Sequence, residues 1–193
     1  MKTINTLALT ALLGFSSLLA TDYTVDNTHS NIGFKIRHMM VASVRGTFKD
    51  YKGHYDYNPQ TKQINSLEGT VQIASINTDD KKRDDHLRSA EFFDAKKYPE
   101  MELKLIKHKA DKATVALTMK GITKEIEFEV EDLSGEAKDP WGNIKTGFTL
   151  IGKISRKAYN ITFNKILETG GVAVGDEVKI TLDIEGNKVV AKK

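Results

Sequence analysis

The chain contains no cysteine, only three prolines and one tryptophan, and no dominant sign of charge. Without cysteine it has neither a disulfide framework nor thiol chemistry, so its core alone must stabilise it. Its 29 basic residues stand against 26 acidic ones, which gives a net charge of +3. A nucleic-acid binder would show a clustered basic face instead. We therefore predict no nucleic-acid partner.

The first twenty residues have the features of a secretory signal. Lys2 supplies a positive start, residues 7–19 form an apolar stretch, and Ala20 is a small residue at a possible cleavage point. The apolar stretch is shorter than the roughly 20 residues that a membrane-spanning helix needs. We predict a signal peptide over residues 1–20, a single domain over residues 21–193, a periplasmic or secreted location, and no stable membrane insertion.

The rest of the sequence alternates apolar and polar residues in period two, which is typical of strands with one buried face. In residues 124–131, Ile126, Phe128 and Val130 alternate with four glutamates. We predict eight or nine strands, at residues 22–26, 31–38, 46–57, 64–76, 101–108, 113–120, 124–131, 146–154 and 178–184. Within 46–57, a change of parity between Phe48 and Tyr51 predicts a bulge or bend. The pattern fits a sandwich or a barrel, and closure into a barrel would remove exposed edges.

Residues 79–105 contain the one predicted helical insertion. Its opening, residues 79–88, is charged, and the pairs Asp79–Arg83 and Asp84–Arg88 have the i,i+4 spacing of ion pairs on a solvated helix face. This helix has no apolar stripe of its own. Leu87, Phe92 and Phe93, which stand at its end, must therefore be buried against another part of the protein, such as the open end of a barrel.

Two short clusters carry the residue types of reactive sites: Asp26, His29 and Ser30 in one, and Asp84, Asp85 and His86 in the other. Members of the first lie too close together in a turn to align as a triad. Adjacent residues on a helix point about 100° apart, so the second cluster cannot converge on one ion. We therefore predict no catalytic residue, no metal site and no cofactor.

Four blocks of the sequence, in this order, resemble the YceI-like family of exported bacterial proteins. They are DNTHSNIGFKIRH (26–38), VRGTFKDYKG (44–53), SINTDDKKRDDHLRSAEFFDAKKYP (75–99) and GDEVKITLDIE (175–185). The resemblance implies an extended, lipocalin-like antiparallel β-barrel around an apolar pore that holds an isoprenoid or fatty-acyl lipid. It also makes a homodimer plausible. We expect an all-β barrel of about eight strands with a short helical insertion.

Our first hypothesis is therefore non-enzymatic binding, carriage or sequestration of a long-chain amphiphile. The predicted pore residues are Ile32, Phe34, Ile36, Phe128, Val130, Phe148, Leu150 and Leu182, with Leu87, Phe92 and Phe93 at the covered end. His38 is the candidate for the polar head group, with Tyr55, Tyr57, Arg37 and Asn31 as further candidates. Each buried CH₂ of a lipid contributes about 0.8 kcal/mol, so few polar contacts are needed. The same alternation also fits a filled core without a cavity.

Two other functions remain open from the sequence. One is an enzyme for an isoprenoid or acyl substrate, in which His29, Asp84, Asp85 or His86 transfer protons. The other is an interaction module of an envelope or redox complex, which would use the outward glutamates at positions 125, 127, 129 and 131.

Overall fold

The computed structural model describes residues 21–166 and 171–190. The predicted signal peptide over residues 1–20 lies outside this range. Among the described residues, the helices lack the length and the hydrophobicity of a membrane-spanning segment.

The described residues form twelve strands, one α-helix and two 3-10 turns. The strands are β1 (Thr21–Val25), β2 (Asn31–His38), β3 (Ala42–Phe48), β4 (Tyr51–Asn58), β5 (Gln63–Gln72), β6 (Ile76–Asn77), β7 (Glu100–Lys109), β8 (Lys112–Met119), β9 (Ile122–Glu131), β10 (Ala137–Lys138), β11 (Ile144–Ser155) and β12 (Val174–Lys188). Helix α1 spans Lys81–Arg88, and the 3-10 turns span Ile73–Ser75 and Arg156–Tyr159.

Eight of these strands close into an antiparallel barrel, in the order β11-β9-β8-β7-β5-β4-β1-β12, with β12 pairing back onto β11. The predicted all-β barrel with one short helix is confirmed. Strand β12 is 15 residues long and has two partners along one edge. Its last part pairs with β1 and its first part with β2. Strands β2, β3 and β6 therefore form an extension of the sheet beside one half of the barrel.

The interior of the barrel has two unlike halves. In the tyrosine half, the fully buried Tyr23, Tyr55 and Tyr57 fill the space together with Phe148 and Leu150. The Tyr23 and Tyr55 rings are stacked with their centroids 5.2 Å apart. In the hollow half, apolar side chains of β2, β3, β8 and the segment after α1 surround a cavity.

The predicted single strand over residues 46–57 is wrong. Strand β3 ends at Phe48 and β4 begins at Tyr51, so Lys49 and Asp50 form a connection between two strands. The two strands also have different partners, since β3 pairs with β2 and β6 while β4 pairs with β1 and β5. The change of parity marks a change of strand, not a bulge.

The predicted ion pairs of α1 are also wrong. The helix begins at Lys81, and the Asp80 carboxylate caps it by accepting from the Arg83 amide at 3.0 Å. Arg88 pairs with Asp85 at 2.9 Å, and Lys81 pairs with the same carboxylate at 2.7 Å. Asp84 is only 6% exposed, so it does not belong to a solvated face. Its partner lies outside the helix, as described below.

Candidate functional site: an apolar cavity beneath helix α1

A cavity of about 490 Å³ occupies the hollow half of the barrel. This volume lies within the range of roughly 300–1,000 Å³ that is typical of ligand sites. The lining is mostly apolar and comes from the barrel wall and from the segment after α1. It includes Ile32, Phe34, Ile36, Val44, Phe48, Leu67, Val71, Leu87, Phe92, Phe93, Met101, Leu103, Leu117, Met119, Phe128, Ile154, Ile161, Phe163, Val178, Ile180 and Leu182.

Two glycines on neighbouring strands leave room in the cavity wall. Gly53 of β4 and Gly69 of β5 face each other in the sheet, and both line the cavity. Gly53 shares the inward parity of Tyr51 and Tyr55, and Gly69 shares that of Leu67. A Cβ atom on Gly69 would have only the Lys52 carbonyl oxygen nearby, at 3.5 Å. The missing side chains thus widen the interior at the border of the tyrosine half.

Helix α1 is fixed to the chain that leaves β6 by a buried polar cluster around Thr78. The Asp84 carboxylate accepts from the Thr78 amide at 2.9 Å and from the Thr78 hydroxyl at 2.6 Å. The Arg83 guanidinium donates to the Thr78 hydroxyl at 2.7 Å and to the Thr78 carbonyl at 2.8 Å. Asp84 and Arg83 of the helix therefore both bond to Thr78, in the chain that leads into α1.

A second arginine attaches the end of α1 to the chain that follows β5. The Arg88 guanidinium donates to the Ala74 carbonyl at 2.8 Å and to the Ile76 carbonyl at 2.9 Å. Because both acceptors are backbone groups in β6 or in the 3-10 turn before it, the charged side chains of α1 hold the helix against the sheet and do not only interact with solvent.

Aromatic rings from α1, from the segment after it and from the chain beyond β11 cover the cavity. Phe92, Phe163 and His86 contact one another with ring centroids 4.9 Å apart in each pair. Phe93 meets Phe48 of β3 edge to face at 6.1 Å. The ammonium group of Lys120, in the β8–β9 turn, donates to the Phe92 carbonyl at 2.6 Å. We call these residues the cover: His86, Phe92, Phe93 and Phe163. The cover is hydrogen-bonded to the barrel through Lys120 and contributes its rings to the interior.

The cavity lining also contains polar residues, apart from the glycines and the apolar side chains: Arg37, His38, Lys52, Glu68, Thr70, Arg83, His86, Glu102, Arg156 and Lys165. Arg156 is 3% exposed, and its guanidinium donates to the carbonyl groups of Gly175 at 2.7 Å, Ile161 at 2.6 Å and Val174 at 3.2 Å. Burial lowers the pKa of Arg156. His86 pairs with Glu91 at the edge of the cover.

Arg37, His38 and Lys165 line the cavity but are exposed, so the cavity reaches the surface beside the β2–β3 turn. We refer to this opening as the mouth.

The predicted site residues divide between the two halves. Nine of them line the cavity: Ile32, Phe34, Ile36, His38, Leu87, Phe92, Phe93, Phe128 and Leu182. Five others, Tyr55, Tyr57, Val130, Phe148 and Leu150, are buried in the tyrosine half away from the cavity.

The two tyrosine hydroxyls proposed for the head group are hydrogen-bonded within the fold. The Tyr55 hydroxyl bonds the Thr146 hydroxyl at 2.9 Å, and the Tyr57 hydroxyl donates to the Ser134 carbonyl at 2.6 Å. Burial raises the pKa of Tyr55 to about 12. Both hydroxyls therefore bond to other residues of the protein and do not face the cavity.

Several lining residues were not among the predicted ones. Leu117, Met119, Ile154 and Ile180 lie on apolar strand faces that the alternation indicates, so the sequence contained their signal. Arg156 lies in the 3-10 turn after β11 and Phe163 in irregular chain beyond it, where no strand periodicity exists to reveal them.

The candidate proton-transfer residues do not meet at one place. His29 lies in the exposed turn between β1 and β2, hydrogen-bonded to Asp26 at 3.0 Å. Asp84 is engaged with Thr78, Asp85 is exposed and paired with two cations, and His86 faces the cavity. Of these four residues, only His86 lines the cavity, so the arrangement gives no pair of groups converging on a bound substrate.

One carboxylate cluster, Asp26 with His29 and Glu185, has the spacing of a metal site. The Lys145 ammonium group, however, bonds Asp26 at 2.7 Å and Glu185 at 2.6 Å. A cation of the protein itself therefore satisfies the two carboxylates. These hydrogen bonds, first from Lys145 and then from His29, hold the pKa of Asp26 well below its usual range.

This cluster makes stability depend on pH in acid. Because the pKa of Asp26 is lower in the folded state, its contribution is complete above the usual value near 4 and is lost as the pH falls below it. We expect urea unfolding between pH 6 and pH 2 to show a flatter decline of the free energy of unfolding for Asp26→Asn than for the parent protein. Parallel profiles would show that Asp26 does not carry the dependence.

The YceI-like domain model matches residues 23–186, which is most of the chain. The chain belongs to the YceI-like family. A UPF0312 protein of Photorhabdus laumondii is 40% identical over 155 residues, covering 77% of this chain and 80% of that protein.

Solved structures agree with this assignment. A YceI protein of Campylobacter jejuni is 34% identical, with a TM-score of 0.68 over 86% of this chain and 96% of that one. A structure from Saccharophagus degradans, described as a polyisoprenoid binding domain implicated in plant cell wall breakdown, is only 13% identical. It aligns with a TM-score of 0.62 over 86% of this chain and 98% of that one, and so shares the fold.

Proposed function

We propose that the protein binds one long-chain lipid, an isoprenoid or a fatty-acyl amphiphile, and carries or sequesters it without chemical change. The observation that carries the proposal is the unequal filling of the barrel. Aromatic side chains fill the tyrosine half, while about 490 Å³ stays open in the hollow half behind mostly apolar walls. An empty core of this size is costly, because each missing contact forfeits dispersion and burial energy. A lipid tail would supply those contacts.

The energetics suit a ligand with a long apolar tail. Each methylene transferred from water into the cavity contributes about 0.8 kcal/mol, so ten methylenes give roughly 8 kcal/mol before the cost of association. Binding of this kind needs no catalytic group. The polyisoprenoid-binding description of the Saccharophagus degradans neighbour is consistent with such a ligand.

In this proposal the tail lies beneath α1 and the head group lies at the mouth. Ile32, Phe34, Ile36, Phe128 and Leu182 contact the tail, and Leu87, Phe92 and Phe93 close the space above it. His38, with Arg37 beside it, is positioned to meet a polar head group because both are exposed while lining the cavity. A periplasmic or secreted location, as the first twenty residues predict, would bring such a protein close to envelope lipids.

The test is to identify what the protein carries. Protein purified from its own host is analysed by native mass spectrometry, and its bound material is then extracted with organic solvent and identified. We expect one long-chain amphiphile per chain, recovered with its covalent structure unchanged after prolonged incubation with the protein. Recovery of no lipid, combined with no binding of long-chain fatty acids or polyprenols to the extracted protein, would refute the proposal. Conversion of the recovered lipid to a product would favour the enzyme hypothesis.

A further inference from the structure

The turn between β2 and β3, at the mouth, exposes large apolar side chains. Met39 is 44% exposed, Met40 55% and Val41 81%. Ile166 and Val172, which form an isolated bridge with each other, are 86% and 39% exposed. We call these five residues the apolar tip. Single exposed apolar residues are ordinary, but a group of them at one place marks a surface that binds a protein, a membrane or a ligand.

The backbone of this turn makes its residue types unusual. Met39 and Met40 have φ values of 50° and 60°, and the Val41 amide donates to the His38 carbonyl at 3.2 Å. Positive φ at both central residues is typical of hairpin turns that favour asparagine and glycine, because other side chains are strained there. Turn formation therefore does not explain two methionines at these positions.

The apolar tip is continuous with the mouth. The Met39 amide donates to the Ala173 carbonyl at 2.8 Å, which joins the two parts of the tip. Ala173 itself lines the cavity, as does His38 at the base of the turn. A lipid that leaves the cavity beside His38 would thus meet the tip first.

Behind the tip, four cations form a row across the outer surface of the sheet. The strand register places Lys153 opposite Lys179, Lys179 opposite Lys35, and Lys35 opposite Arg45, and all four are exposed. Like charges that face each other across strands are destabilising. Among the residues that the structure describes, Lys153 pairs with Glu177 at 3.1 Å, and the other three form no ion pair. This cationic row is therefore suited to an anionic surface.

The distance between the two features fits a lipid bilayer. Lys35 lies three residues before the last residue of β2, and Arg45 lies three residues after the first residue of β3. At 3.3 Å per residue, each is about 10 Å from the end of its strand at the β2–β3 turn. Apolar groups of peripheral proteins enter the interface by about 5–10 Å. A tip inserted to that depth places the cationic row at the level of the lipid head groups.

We propose that the apolar tip docks on the surface of a membrane that contains anionic lipids, with the cationic row against the head groups. Docked in this way, the mouth opens toward the bilayer, and a tail passes between membrane and cavity with little exposure to water. The passage of a tail rests on the proposed function. The docking itself does not, because it needs only the tip and the row.

The docking is tested by flotation of the purified protein with two kinds of vesicle, phosphatidylcholine alone and phosphatidylcholine with phosphatidylglycerol. We expect binding to the second kind, weakened by added salt. The variant Met40→Asp with Val41→Asp should bind at least about tenfold more weakly. Its matched control is Ile106→Asp with Trp141→Asp, at residues 51% and 82% exposed and away from the tip. This control should bind like the parent.

The charges are tested separately. Each cation near an anionic surface contributes roughly a fivefold gain in binding, so Lys35→Gln with Arg45→Gln should bind about 25-fold more weakly to the anionic vesicles. The control Lys104→Gln with Lys112→Gln removes two lysines that pair with Glu68 and Glu127 outside the row. It should leave vesicle binding nearly unchanged.

A further variant separates docking from folding. Met39→Asn with Met40→Gly replaces the methionines with residues that the turn favours, so we expect the melting temperature to rise by about 2–4 °C. The same variant should lose vesicle binding because the tip has lost two apolar side chains. Loss of binding together with higher stability would exclude misfolding as the cause.

Three results would overturn the docking proposal. The first two are no preference of the parent for anionic vesicles, and equal losses of binding in the test and control variants. The third is a parent protein that binds no vesicles and is a dimer, while the Met40→Asp, Val41→Asp variant is a monomer. The last would show that the tip contacts a second copy of the chain. Lipid extraction reports on the cavity independently, so a protein that carries lipid but binds no vesicle refutes docking alone.

Discussion

Gly69→Phe is expected to abolish most of the lipid binding while leaving the barrel folded. The glycine faces inward between Leu67 and Val71, and its added side chain would extend into the open space of the cavity. The Cβ atom itself meets only the Lys52 carbonyl oxygen, at 3.5 Å, which is an ordinary contact. A phenyl ring that displaces three or four methylenes of the tail weakens binding on the order of a hundredfold.

The measurement is a fluorescence titration of the lipid-extracted protein with cis-parinaric acid, a fluorescent long-chain fatty acid. The control is Gly135→Phe, since a Cβ atom on Gly135 has no neighbour within 4 Å and this residue lies on the surface. Both variants should unfold within a few degrees of the parent, and only the first should lose affinity. Unchanged affinity in Gly69→Phe would show that the tail does not lie in this cavity.

Asp84→Ala is expected to cause the largest loss of stability among substitutions in α1. It leaves the Thr78 amide and hydroxyl, both now bonded to the Asp84 carboxylate, without that acceptor in a buried place. Each buried donor without a partner costs roughly 1–3 kcal/mol, so we expect a loss of about 3 kcal/mol in the free energy of unfolding. Because Asp84 attaches α1, the cover should also loosen, and bound lipid should dissociate faster.

The matched control is Asp85→Ala, at the next residue of the same helix. Its carboxylate is exposed and pairs with Lys81 and Arg88 on the surface, where solvent screening leaves ion pairs with little effect on stability. Urea unfolding compares the two variants, and the rate of cis-parinaric acid release reports on the cover. Equal small losses of unfolding free energy in both variants would mean that the Thr78 cluster does not hold the helix. An unchanged rate of cis-parinaric acid release in Asp84→Ala would mean that the attachment of α1 does not control the cover.

The sequence predicted strands well where one face of the strand is exposed to solvent. In β9, glutamates alternate with Ile126, Phe128 and Val130, and the structure shows these glutamates exposed. Solvent contact imposes this pattern locally, one residue at a time, so it can be read without knowledge of the partners. The break between Phe48 and Tyr51 was visible as well. Its meaning was not, because a bulge and a change of strand shift the parity alike.

The candidate site was only partly predictable, for a physical reason that β4 makes clear. Its inward positions are Tyr51, Gly53, Tyr55 and Tyr57, spaced by two in the sequence. Tyr55 fills the barrel by stacking on Tyr23, and its ring takes the space that a side chain on Gly186 would need, with Tyr55 Oη 2.5 Å from an added Cβ. Gly53 instead faces Gly69 and leaves a gap. The same parity therefore gives a filled core in one half and a cavity wall in the other.

The helical insertion shows the same division. Its sequence predicted a charged helix and apolar residues after it, and those features are present. It did not predict that Asp84 would be buried, because the Thr78 hydroxyl that bonds it is brought there only when the chain after β6 turns into α1. Likewise, Phe163 reaches Phe92 and His86 from a part of the chain about seventy residues away.

The sequence alone thus determined the all-β class, the family and the apolar character of the segment after α1, since each depends on local alternation or on contiguous motifs. Only the tertiary structure decided which inward residues surround open space and which charges hold the helix. It also placed the exposed methionines and the row of cations beside the mouth. Those outcomes depend on which side chains face one another across the barrel and the sheet, and strand closure sets that register between residues far apart in the chain.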